Sequence, residues 1–215
     1  MRLQHLVLAA ALAATSVSAL RAQSFVIGFD SLSDGSAANL AAPAGVSFAV
    51  GSFSPDLDSE GDLIDGTTRW RVDTSAESVL VRNPSFYDRG AAPSSPNALD
   101  AVFDTVLVSF SSPQVVSGFS VRLDNDSFGF DGLAIEFYSV GASTNTLLGS
   151  IPIDQAVPGF LATLSGPLAG VDFVVLPAGA LYDDLSFTAV PEPSEWGVLA
   201  AGLMGAVAWV RSRRR

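Results

Sequence analysis

Residues 106–123 read Val106-Leu107-Val108-Ser109-Phe110-Ser111-Ser112-Pro113-Gln114-Val115-Val116-Ser117-Gly118-Phe119-Ser120-Val121-Arg122-Leu123. Val106, Val108 and Phe110 fall at alternate positions, and so do Phe119, Val121 and Leu123. A period of two puts every second side chain on one face, so each run predicts a strand with one buried face, and Ser-Ser-Pro at 111–113 predicts a break between them.

The same alternation spreads outward. Phe25, Ile27 and Phe29 show it, as do Val46, Phe48 and Val50. Leu133, Ile135 and Phe137 follow, then Val171, Phe173 and Val175, and finally Leu185 with Phe187. Ser-Asp-Gly at 33–35, Pro43 and Pro-Gly at 158–159 punctuate the runs. No stretch of the body keeps helical spacing for three turns. Many short strands between turn signals predict an all-β fold, a two-sheet antiparallel sandwich with jelly-roll-like order. Residues 51–101 alternate weakly and are rich in Asp, Ser, Pro and Gly, which predicts long irregular segments of the kind that carry binding sites.

Both ends differ from the body. Arg2 precedes the apolar stretch Leu3 to Leu20, which closes in small residues, the layout of a secretory signal peptide. Cleavage after Ala19 or Ala22 makes residues 1–22 the signal helix and 23–190 the mature β domain. At the other end, Val190-Pro191-Glu192-Pro193-Ser194 precedes the uncharged run Trp196 to Val210, and Arg211, Arg213, Arg214 and Arg215 finish the chain. As a helix the run would be about 22 Å long at roughly 1.5 Å per residue. That is shorter than the roughly 30 Å hydrocarbon layer, and snorkelling arginines with local thinning make up the difference. Basic flanks stay in the cytoplasm, so the body is expected outside.

Residues 191–215 with Val190 resemble the PEP-CTERM sorting signal: a Pro-Glu-Pro motif, a short membrane helix and an arginine-rich end in that order. The resemblance implies export in a Gram-negative bacterium that makes exopolysaccharide, recognition by an exosortase, and cutting near the motif. A plain C-terminal membrane anchor is the alternative. The body is similar to the β-sandwich domains that precede this signal, on Ser95-Pro96-Asn97-Ala98-Leu99, on Ser117-Gly118-Phe119-Ser120-Val121 and on Tyr182-Asp183-Asp184-Leu185-Ser186-Phe187. That likeness implies a jelly-roll fold and a matrix or surface role, and supplies no catalytic residue.

Charge and composition narrow the chemistry. The chain has no cysteine and no lysine, and its one histidine, His5, lies in the signal segment. Thiol nucleophiles, thiolate or histidine metal sites, Schiff bases and serine-histidine triads therefore lack their residues in the mature domain. Its arginines are Arg69, Arg71, Arg82, Arg89 and Arg122, heavily outnumbered by Asp and Glu. Such a field repels nucleic acid and favours divalent cations.

Two acidic groups are candidate calcium ligands. Asp56, Asp58, Glu60 and Asp62 alternate around Gly61 like the first half of a calcium loop, with Leu63 at its eighth position. Thr67 stands where an EF-hand needs a bidentate carboxylate, and helical flanks are missing, so the expectation is a non-helical loop or a solvated acidic one. The second group joins Asp124, Asp126 and Asp131, after the Phe119 strand, to Asp183 and Asp184, before the last strand; an Asx-turn is the alternative for the latter two. Trp70 or Tyr87 could stack on a sugar ring while Asn97 or Asp88 bonds its hydroxyls, or Trp70 could belong to a sheet face. A carboxylate pair about 5 to 9 Å apart would be needed for glycoside hydrolysis. The reading that results is a non-enzymatic exported surface or matrix protein associated with exopolysaccharide. A calcium-dependent carbohydrate-binding module is the runner-up, and a hydrolase a distant third.

Overall fold

The computed structural model describes residues 22–60, 62–87, 96–124, 133–141, 144–153 and 159–191. The segment before Ala22, where a signal helix was expected, and residues 192–215, where most of a sorting signal was expected, lie outside the described residues. Among the described residues no helix is long and apolar enough to cross a membrane.

The strands are β1 (Gln23–Ile27), β2 (Val46–Leu57), β3 (Leu63–Val72), β4 (Val81–Arg82), β5 (Ala98–Ala101) and β6 (Thr105–Asp124). They continue with β7 (Ala134–Val140), β8 (Asn145–Pro152), β9 (Phe160–Thr163), β10 (Leu168–Leu176) and β11 (Ala180–Pro191). Every pairing is antiparallel, so the all-β expectation holds. The break expected at Ser111–Pro113 does not exist: β6 runs on through it. The proline is tolerated because it lies where the β6–β10 ladder slips register, between the Gln114↔Val171 and Ser109↔Phe173 pairs, and no paired amide is asked of it.

That long strand serves two blocks of pairing. Its first half lies between β2 (Val46↔Phe110 to Gly51↔Thr105) and the end of β10, which continues to β7 and β8. Its second half lies between β11 and β9, and β11 continues to β5, β4 and β1. Val106, Val108 and Val174 from the first block and Val121, Leu123, Tyr182, Leu185 and Phe187 from the second share one buried core. Phe119 and Phe137 meet edge-on in it, ring centroids 4.9 Å apart. The Tyr182 hydroxyl donates to the Pro177 carbonyl at 2.8 Å, so the one buried phenol of this core is satisfied, and burial holds its pKa far above the ordinary tyrosine value.

Residues 51–101 are more regular than expected, since β2 and β3 occupy much of the segment. Asp183 and Asp184 do not precede the last strand but lie inside it, because β11 begins at Ala180. Val190 and Pro191 are also within β11, paired with Val115 and Gln114. Gln23 pairs with Ala189, so the first strand and the end of β11 meet at one corner. A cleft of about 190 Å³ opens there, lined among others by Gln23, Phe25, Gly45, Ser111, Gln114 and Ala189.

Candidate functional site

β2 is longer than its partner on β6. Beyond Gly51 it pairs only with β3, and the two form an arm. The Trp70 carbonyl accepts from Asn145 Nδ2 at 3.1 Å and Arg69 Nη1 donates to the Gly141 carbonyl at 3.3 Å. Gly141 follows β7 and Asn145 opens β8, several strands away in ladder order, so the arm lies across the outer face of β6, β10 and β7. Gly51 is where it turns: a Cβ there would meet Leu107 Cγ at 2.7 Å.

Trp70 is the side chain that seats the arm. With Tyr138 it covers Leu107, Phe173 and Val175, which are buried on the face opposite the main core. Phe53, cross-strand from Trp70, approaches it with centroids 5.2 Å apart and remains 60% exposed. Tyr138 stacks on Phe173 at 5.4 Å and 13°, and its hydroxyl donates to Glu136 Oε2 at 2.7 Å. Burial, then the Glu136 hydrogen bond and charge, push the phenol up to about 12, against a smaller lowering by a Trp70 hydrogen bond. Exposed Leu147, beside Tyr138 on β8, extends the patch. The result is an aromatic surface edged by a carboxylate, a phenol and an amide, the pairing of ring faces with hydroxyl acceptors that sugar rings use.

The arm is held by ions. Asp56 Oδ1 pairs with Arg71 and, at 3.3 Å, with Arg69. The Arg71 hydrogen bond, helped by both guanidinium charges, keeps the Asp56 carboxyl below the ordinary carboxylate value against partial burial. Asp56 is thus set apart from the rest of its sequence cluster. Asp58, Glu60 and Asp62 converge at the tip, each offering an oxygen within 4.8 Å of the others, all exposed. Asp58 Oδ1 accepts the Glu60 and Asp62 amides, both at 2.9 Å, which shapes the turn. Thr67 serves the arm, taking the Asp56 amide at 2.7 Å and donating to the Ile64 carbonyl at 2.6 Å.

The second acidic group is brought together in part. The pairs Leu181↔Asp124 and Asp183↔Arg122 place Asp124 and Asp183 on one face of adjacent strands, both buried. Asp184 adopts a left-handed backbone (φ 50) and pairs with Arg122 at 3.3 Å; its amide donates to Asp183 Oδ1 at 2.8 Å. Asp126 and Asp131 lie outside the described residues, as does Asp88, and so does the Tyr87 side chain. Asn97 is bound into the body: its Nδ2 donates to the Leu32 carbonyl at 2.7 Å, and its backbone amide reaches Asp30 Oδ1 at 3.3 Å.

Sequence reasoning found Trp70 and missed Phe53, Tyr138, Glu136 and Asn145. Glu136 and Tyr138 are two apart on a strand, so their shared face was readable; the arm that joins them to Trp70 was not.

No protein-family model matches the chain, and no curated protein matches it. Among solved structures it is similar to the family 32 carbohydrate-binding module of C. perfringens NanJ, solved in complex with galactose. The match has 11% identity and a TM-score of 0.31, and covers 78% of this chain and 99% of that chain.

Proposed function

We propose that this is an exported, non-catalytic protein of the bacterial surface or exopolysaccharide matrix, a jelly-roll-like sandwich that touches glycan through the aromatic patch its β2–β3 arm forms with Tyr138. Export rests on the signal-like first 22 residues. Sorting by an exosortase, with transient tethering in the inner membrane, rests on the PEP-CTERM-like residues 190–215. The observation that carries the glycan contact is the Trp70–Tyr138–Glu136 group with exposed Phe53 beside it, because it pairs aromatic surface with hydroxyl acceptors. Affinity electrophoresis of the protein in gels containing bacterial exopolysaccharide tests it. Retardation that weakens in Phe53→Ala supports the reading, and migration equal to that in plain gel removes it. Intact mass of protein recovered from cells and medium tests sorting: a C-terminus near Pro193 supports an exosortase, and an intact Arg215 leaves a plain anchor.

A calcium-dependent form of the same binding is favoured by one observation, the convergence of Asp58, Glu60 and Asp62 at the tip of the arm that carries Trp70. Three carboxylates offer a hard cation oxygen ligands. A melting temperature unchanged between chelator and millimolar calcium would exclude it.

A further inference from the structure

The formal charges of the body are unevenly placed. Residues 22–29, 35–55, 105–121, 155–171 and 185–191 contain no Asp, Glu, Lys or Arg. Pairing gathers their described parts around one corner. β1 lies against the end of β11, the end of β11 against Gln114–Ser120 of β6, and Leu168 and Val171 against Val116 and Gln114. The Ser111 amide donates to the Gly45 carbonyl at 2.9 Å, which brings in the segment before β2. None of the side chains lining the corner cleft is charged. The charge nearest in register is Asp172, beside Val171, and its carboxylate is turned to the Val140 amide at 2.7 Å. Val26 and Leu40 stand 78% and 72% exposed on these uncharged segments. Asp100, Asp104, Asp124 and Asp183 lie away from the corner, toward the other ends of β6 and β11.

The corner is also where the chain leaves the fold. Gln23 and Ala189 are paired neighbours, and Pro191 is still in register with Gln114. Bilayer surfaces of bacteria carry anionic lipid, which repels carboxylates within about 10 Å at moderate salt. A domain tethered at this corner would lose affinity for its own membrane from every Asp or Glu placed there, and would lose none from Ser, Gln, Ala or Phe.

We infer that the uncharged corner around Gln23, Gly45, Ser111, Gln114 and Ala189 is the surface the domain turns to the lipid bilayer, with the acidic ends of β6 and β11 pointing away. This rests on the reading of residues 190–215 as a membrane segment. The uncharged cleft then lies at the headgroup level, beside the motif on which a membrane protease would act.

The absence of cysteine permits a direct test. The full chain is reconstituted in vesicles of phosphatidylethanolamine and phosphatidylglycerol with one fluorophore at Ala44→Cys or at Asp104→Cys. Ala44 lines the cleft, and Asp104 precedes β6 at its far end. The expected result is that a lipid-borne quencher dims the Ala44 position about threefold more than the Asp104 position, the difference of a label inside or beyond the headgroup zone. In Ala44→Cys with Ser111→Glu and Ser112→Glu the quenching should fall to the Asp104 level while the protein still floats with the vesicles. Equal quenching at both sites in floating protein overturns the orientation alone. Protein that does not float overturns the membrane-segment reading and the orientation with it.

Discussion

Trp70 and Phe53 face each other across the β2–β3 arm with ring centroids 5.2 Å apart, but only Trp70 is built into the surface beneath. The two rings should therefore separate stability from binding. Trp70→Ala uncovers Leu107, Phe173 and Val175 and is expected to cost about 2–4 kcal/mol, somewhat under a full core tryptophan because the ring is half-buried. Phe53→Ala should cost under about 1 kcal/mol while weakening retardation in glycan gels. Urea midpoints read the first, and gel mobility the second.

Asp56 gives the arm a pH dependence of definite sign. Its carboxyl is lowered by Arg71 and Arg69, so the stabilisation is complete above the unfolded value, near 3.8, and disappears as pH falls through the lower folded value. Tryptophan emission followed in acid should report the arm loosening below about pH 4. Asp56→Asn should remove that acid step and lower the neutral-pH midpoint modestly.

Tyr138 acts at the other end of the scale. Its phenol is raised to about 12 by burial and Glu136, against an ordinary value of 10.0. The unfolded chain ionises first, so this contribution is full below about pH 10 and is lost as pH rises toward the folded value. Tyr138→Phe should flatten the alkaline fall in melting temperature, and Glu136→Gln should shift the phenol's absorbance titration downward.

Asn39 stands in for a missing strand neighbour. Its Nδ2 donates to the Phe48 carbonyl at 2.8 Å and its Oδ1 accepts the Phe48 amide at 2.7 Å. Asn39→Ala removes both partners of a buried residue, and about 2–3 kcal/mol should be lost in denaturant unfolding. Asn39→Asp should recover the amide contact and not the carbonyl one.

The strands that were legible are those with one clean face. Val46, Phe48 and Val50, or Phe119, Val121 and Leu123, alternate because solvent or polar neighbours lie opposite the core. In 106–108 all three residues are buried, since the arm covers the outer face, and a period of two cannot show a cover supplied by Trp70 from a distant part of the chain. Thr-Arg-Trp-Arg-Val at 68–72 hid β3 for the same reason: its arginines point to Asp56, a partner from β2. The acidic run 56–62 read as one group, yet side-chain ion pairs tie Asp56 to Arg69 and Arg71 and leave Asp58, Glu60 and Asp62 at the tip. Spacing alone does not reveal such a division.

The length of β6 has one more effect. Because a single strand is a central member of both blocks, neither block can melt while the other keeps its ladder intact. Amide exchange should therefore show one protected unit spanning Val106 to Leu123, with no weak step at Pro113. That would leave the exported protein proposed above no half-open form for proteases to find.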